Sequence, residues 1–212
     1  MIRDQETINA LVDIIERFVR ERLIPAEDQM AEEGKLPDDL LQEMRELGLF
    51  GLTIPEEYGG LGLTMEEEIL VSVALGHTSP AFRSIMGTNN GIGSAAIVFN
   101  GTEAQKQKYL PKYASGEWIS CFCLTEPEAG SDAASLRTTA RREGDHYVIN
   151  GTKRYITNAP VAHTFNVMAR TDPEVKGARG ISSFIVERDT PGITLGSIDK
   201  KMGQSGSMTC DV

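Results

Sequence analysis

Hydrophobic and polar positions alternate along this chain with two different periods. From Ile8 to Leu23, apolar Ile8, Leu11, Val12, Ile15, Phe18, Val19 and Leu23 recur at spacings of three and four. That spacing predicts an amphipathic helix, stopped by Pro25. A second helix starts near Pro37 and carries Leu40, Leu41, Met44 and Leu47 before Gly48 ends it. Thr64-Met65-Glu66-Glu67 has the form of a capping box, in which the Thr side chain accepts the Glu67 N–H and Glu67 reaches back. It opens a third helix. Ser79-Pro80 opens a fourth, interrupted at Asn89-Asn90-Gly91 and resumed as an apolar helix from Ile92 to Phe99. A second capping box, Thr102-Glu103-Ala104-Gln105, starts a helix that Pro111 closes. Ile54 to Gly62 is a loop by its Gly and Pro content.

Near Gly116 the period changes to two. Ile119 to Thr125 is β-prone, and Leu136, Thr138 and Ala140 alternate with polar neighbours. Glu143-Gly144-Asp145 turns into His146 to Ile149. Asn150-Gly151, a strong two-residue hairpin signal, leads into Thr152 to Ile156. Thr164 to Arg170, Ile181 to Glu187 and Ile193 to Ile198 predict further strands, with Asp189-Thr190-Pro191-Gly192 as a turn. Helices followed by strands imply two sequential domains. The expectation is an α+β multidomain chain: an all-α domain over residues 1–117, then an antiparallel, barrel-like β domain over 118–212.

Composition adds limits. The 212 residues are 40% hydrophobic and 25% charged, ordinary for a globular protein. No apolar run approaches the roughly 20 residues of a membrane span. The acidic N-terminus, Met1 to Glu6, is unlike a secretory signal, so the expected location is cytoplasmic. A net charge of −10 and the absence of a Lys/Arg cluster argue against nucleic acid. Cys121, Cys123 and Cys210 follow no disulfide framework, and His77, His146 and His163 are scattered, so no metal site is expected.

Neither a dinucleotide fingerprint nor a P-loop occurs, and Gly203 to Ser207 misses the nucleophile-elbow pattern at its fifth position. Two strand ends carry chemistry instead. The first is Cys121 to Asp132, where a strand runs into Thr125 and then Pro127 and Gly130 force a compact turn. Gly130 allows close backbone approach, and Ser131 and its neighbours offer N–H and O–H donors, a pattern fitting an anion or a ring edge. A well-capped surface loop fits the same composition. The second is Arg154 to Pro160, with an aromatic, a hydroxyl and an amide at its tip. Tyr155 beside Thr157 suits a planar ring, and strand packing alone accounts for it equally well.

Leu124-Thr125-Glu126-Pro127-Glu128-Ala129-Gly130-Ser131-Asp132 resembles the T-E-P-x-A-G-S-D signature of acyl-CoA dehydrogenases. Asn150 to Asn158 resembles their N-G-x-K-x-W-I-T-N segment. Pro55 to Gly60, Gly101 to Lys106, Phe184-Ile185-Val186 with Thr190-Pro191-Gly192, and Met202-Gly203 match further motifs in the family's order. The resemblance implies FAD as cofactor, with Phe122, Leu124 and Thr125 lining the flavin. It places Gly130 and Ser131 near the pyrophosphate, Ser131 also touching acyl-CoA, and Tyr155, Ile156 and Thr157 against the isoalloxazine. Phe122 stands where Tyr is common and Tyr155 where Trp is usual, while Glu128 puts a charge where Gly is frequent.

The implied reaction is α,β-desaturation of an acyl-CoA thioester, with hydride passing to flavin N5 and electrons leaving to an electron-transfer flavoprotein. A homodimer or homotetramer is implied as well. Relatives on this fold that use oxygen, as oxidases or monooxygenases, and a non-catalytic flavin- or CoA-binding module are the alternatives. The family's catalytic base is a glutamate of a C-terminal helical bundle. This sequence stops at Cys210-Asp211-Val212, which read as the start of a strand. The expectation is an incomplete β domain that holds cofactor contacts without turning over, and no catalytic residue is assigned.

Overall fold

A computed structural model describes residues 1–212. The chain divides into two compact units. One comprises Met1–Ile119 with Lys200–Met208, the other Ser120–Asp199 with Thr209–Val212.

The first unit is helical. Helix α1 (Gln5–Phe18) starts where the Asp4 carboxylate accepts the N–H groups of Glu6 and Thr7, and it buries Ile8, Ile15 and Phe18. Contrary to the expectation from periodicity, Pro25 does not stop the chain's helical course. A π-helical turn over Val19–Leu23 and a 3-10 turn over Ile24–Ala26 carry it past the proline into α2 (Glu27–Glu33). Widening to i→i+5 bonding is a usual way for a helix to absorb an irregular position. Gly34, with φ +68, ends α2.

Helix α3 (Asp38–Glu46) follows Pro37 and buries Leu40 and Met44. Helix α4 (Met65–Leu75) opens on the full capping box: Thr64 Oγ1 accepts the Glu67 N–H at 3.4 Å, and Glu67 Oε2 accepts the Thr64 N–H at 2.8 Å. Helix α5 (Pro80–Asn90) ends in two buried asparagines. Asn89 Nδ2 donates to the carbonyls of Tyr113 and Trp118, and Asn90 Nδ2 to that of Leu49. Helix α6 (Ala95–Asn100) resumes three residues later than its apolar pattern suggested.

Helix α7 (Glu103–Ala114) contains Pro111 rather than ending there. The ring removes one backbone donor, but Tyr109, Leu110, Tyr113 and Ala114 on either side of it are buried. Full burial of a large apolar side chain stabilises by about 1.5–3 kcal/mol, enough to hold the last turn.

The second unit is a mixed sheet that does not close. Strands β1 (Ser120–Cys123), β5 (Thr164–Arg170), β2 (Thr139–Glu143) and β3 (His146–Asn150) are linked in that order by hydrogen bonds, and β6 (Ile181–Glu187) also pairs β5, along its whole length. The antiparallel, barrel-like expectation needs correction here. β5 takes β1 in parallel along Thr164 to Val167 and β2 in parallel at Arg170, while β2–β3 and β5–β6 are antiparallel. Strands β4 (Ile156–Thr157) and β7 (Thr209–Cys210) form a separate antiparallel ladder. Cys121, Cys123, Ile156, Ala159, Ala162, Phe165, Val167 and Cys210 pack as one apolar cluster. Burial pushes the Cys121 and Cys210 thiols up, so they act as small apolar side chains.

Two local predictions fail for non-local reasons. Asn150-Gly151 makes no hairpin, because β4 pairs with β7 and not with β3. Gly151 is required by close approach instead: a Cβ there would sit 2.2 Å from Thr138 Oγ1 and 2.8 Å from Thr138 Cα. Ile193 to Ile198 forms no strand. Only scattered bonds hold this stretch and its end, from the N–H groups of Gly196 and Asp199 to the carbonyls of Asp211 and Thr209.

Candidate functional site at two strand ends

The first strand end begins where β1 stops. Phe122, Leu124 and Thr125 are half-buried. Glu126 and Ala129 then exchange backbone hydrogen bonds, N to O at 2.8 and 3.3 Å, and close a tight turn around Pro127 and Glu128. Gly130 and Ser131 follow in the open. The side chain of Glu126 turns inward. Its carboxylate accepts the N–H of Arg137 at 2.5 Å, the N–H of Thr138 at 2.9 Å, the Thr138 hydroxyl at 2.5 Å and Lys153 Nζ at 2.8 Å.

The second strand end starts at Lys153, whose side chain is 3% exposed, as is that of Glu126. Nζ also donates to the carbonyl of Leu124 at 3.1 Å. The Lys153 backbone exchanges two hydrogen bonds with Val212, both 2.8 Å. Tyr155 then adopts φ +58, unusual for a bulky residue, and stands 59% exposed. The Arg154 guanidinium lies 4.9 Å from its ring centroid. Ile156 is buried against the thiol cluster, and Thr157 is half-buried on β4.

The two ends meet. The Arg154 N–H donates to the carbonyl of Thr125 at 2.8 Å, so Thr125 and Tyr155 lie either side of one direct backbone bond. Burial pushes the Glu126 carboxyl up, but the hydrogen bonds from Lys153, Thr138 and Arg137 outweigh it and hold the group at about 2. Burial draws Lys153 down, opposed by the carboxylate beside it. With four donors on it and its side chain buried, Glu126 is an ionised anchor held away from the open surface. Lys153, Thr138 and Val212 were not singled out from the sequence. Lys153 sits inside a recognised motif, but its burial depends on a carboxylate 27 residues away.

Of the predicted contact residues, only Gly130, Ser131 and Tyr155 are exposed; Ile156 is 2% exposed and supports its neighbours from within. Gly130 is informative about a ligand. Its φ is not in the left-handed region, and a Cβ there would meet only Thr125 Cγ2, at 4.0 Å. Nothing in the chain therefore requires glycine at this position, whereas a group lying against the turn would. An open glycine-serine turn beside an exposed aromatic ring fits a planar cofactor with a phosphate tail.

Two family models account for nearly all of the chain. The N-terminal domain of acyl-CoA dehydrogenases matches residues 5–117, and the middle domain matches residues 121–212. An acyl-CoA dehydrogenase of Bacillus subtilis is 39% identical over 199 residues, 94% of this chain and 52% of its own length. The chain thus spans between about a third and a half of the length of the curated relatives it matches. An acyl-CoA dehydrogenase of Bacillus anthracis solved with FAD superposes with a TM-score of 0.85 at 36% identity, covering 99% of this chain and 35% of that one. A chain in the structure described as the electron transferring flavoprotein of Acidaminococcus fermentans gives 0.91 at 37% identity, covering 100% and 56%. The chain belongs to the acyl-CoA dehydrogenase family and carries that family's N-terminal and middle domains.

Proposed function

We propose that this chain supplies the FAD and acyl-CoA contacts of an enzyme that desaturates acyl-CoA thioesters between the α and β carbons. The observation that carries the reading is the Arg154 N–H to Thr125 carbonyl bond, which brings the two motif-bearing strand ends into one site. When bound, FAD accepts the electron pair withdrawn from the thioester. Thr125 offers a hydroxyl at the end of β1, Tyr155 a stacking surface, and Gly130 with Ser131 an open backbone for the phosphates and the acyl-CoA. Phe122, Leu124, Ile156 and Thr157 fix the walls on which these stand. Glu126 does not serve as base, since its carboxylate is committed to four donors. Electrons leave to an electron-transfer flavoprotein, and the working protein is a cytoplasmic homodimer or homotetramer.

Anaerobic titration with acyl-CoAs of increasing length tests the reading, on the protein at the full length its reading frame encodes. Bound FAD bleaches with at least one of them. A flavin that no acyl-CoA bleaches overturns the dehydrogenase assignment. Gly130→Ala tests the site itself: thermal stability stays at or slightly above wild type, while FAD affinity falls by about tenfold, or ~1.4 kcal/mol. Unchanged FAD affinity removes Gly130 from the site.

A further inference from the structure

The buried pair of Glu126 and Lys153 lies behind the site and touches none of its open surface, yet it spans both strand ends. Lys153 belongs to the second end, and its Nζ reaches across to Leu124 O and Glu126 Oε1 of the first, at 3.1 and 2.8 Å. Glu126 in turn gathers Arg137 and Thr138, the residues that lead into β2. An ion pair with both side chains 3% exposed is an inefficient way to stabilise a fold. Desolvating two charges costs several kcal/mol per ion, and well-packed uncharged residues often do as well or better. What such a pair does supply is fixed geometry, because an ammonium with two specified acceptors tolerates little displacement.

We infer that Glu126 and Lys153 are positioning residues, which set the separation of the Thr125 and Tyr155 strand ends and thereby the fit of the flavin between them. The inference rests on the proposed FAD site. The direct backbone bond from Arg154 to Thr125 fixes one point of contact, and the ion pair fixes a second, behind it. Two points define an orientation where one would leave a hinge. The Leu124 carbonyl, the Thr125 hydroxyl and the exposed Tyr155 ring are then held as one rigid edge.

Two variants of the full-length protein test this, with FAD itself as the probe. Glu126→Gln combined with Lys153→Met removes both charges together and leaves no uncompensated ion. Lys153→Arg keeps the charge and the donors but lengthens the span. Each is expected to weaken FAD binding by about tenfold or more and to change the visible circular dichroism of the bound flavin. The melting temperature of the cofactor-free protein stays within about 5 °C of wild type, the shift produced by roughly 1 kcal/mol. A merely structural pair would move the melting temperature and leave the flavin spectrum alone. Should the double variant fail to fold, Lys153→Arg decides by itself. Wild-type affinity and an unchanged flavin spectrum in the folded variants overturn the positioning role while leaving the FAD site standing. A wild-type protein that binds no FAD overturns both.

Discussion

At the scale of single residues, Tyr155 is the most strained position beside the site. A bulky side chain held at positive φ costs about 1–3 kcal/mol, and with 59% of its surface exposed it recovers little by burial. Tyr155→Gly removes that strain at an entropic cost of about 0.5–1 kcal/mol. The expected result is a gain of ~1 kcal/mol in urea unfolding together with weaker FAD binding. A loss of stability would show that the ring packs in a way its exposure does not suggest. Glu126 makes a second, titratable prediction. Its folded value of about 2 lies below the ordinary 4.5, so the unfolded chain binds the proton more readily between those values. The stability it contributes is complete above pH 4.5 and lost as the pH falls toward 2. Glu67, also held at about 2 by the N–H groups of Arg3 and Thr64, adds to the same window. Comparing urea unfolding at pH 6 and pH 3, wild type should lose more stability than Glu126→Gln. An equal loss in both would remove Glu126 from the acid response.

At the scale of elements, what the sequence made legible is what neighbours decide. The capping boxes of α4 and α7, the Glu143–His146 turn and the full extents of β5 and β6 are set by residues within a few positions of one another. Pro25 misled because a π-helical turn and a 3-10 turn absorbed it locally, whereas at Pro111 and Asn150-Gly151 packing overrode the local signal. The candidate site shows the same division. Its two motifs are readable in sequence, whereas the bond that joins them and the burial of Lys153 are products of the fold. Gly151 makes this testable. Because a Cβ there collides with the backbone and side chain of Thr138, Gly151→Ala should destabilise by about 1–3 kcal/mol in urea unfolding, the range for overpacked sites. A change below ~0.5 kcal/mol would show that β2 yields without cost.

At the scale of the whole molecule, the two compact units are not two consecutive stretches of chain. After Asp199 the backbone leaves the sheet unit, contributes Lys200–Met208 to the helical unit, and returns at Thr209. The last four residues then supply all of β7 and the Val212 partners of Lys153. Ending the chain after Met208 should therefore unpair β4 and loosen the second strand end, although the cut lies more than 50 residues away in sequence. Faster amide exchange at Ile156 and Thr157, with protection on β5 and β6 retained, is the expected signature. Unchanged exchange on β4 would mean that the ladder is dispensable.

That late return has a consequence for how the molecule is made. A chain emerging from the ribosome in order displays the T-E-P-E-A-G-S turn long before residue 212 is available to grip Lys153. Strands β1, β2, β3, β5 and β6 can pair before then, but β4 cannot. The pairing of β4 with β7 spans more than 50 residues, and loops of that length close late because their ordering entropy must be met before the contacts form. Folding of the candidate site is thus timed by synthesis: its second strand end acquires its shape only after residues 209–212 have cleared the exit tunnel.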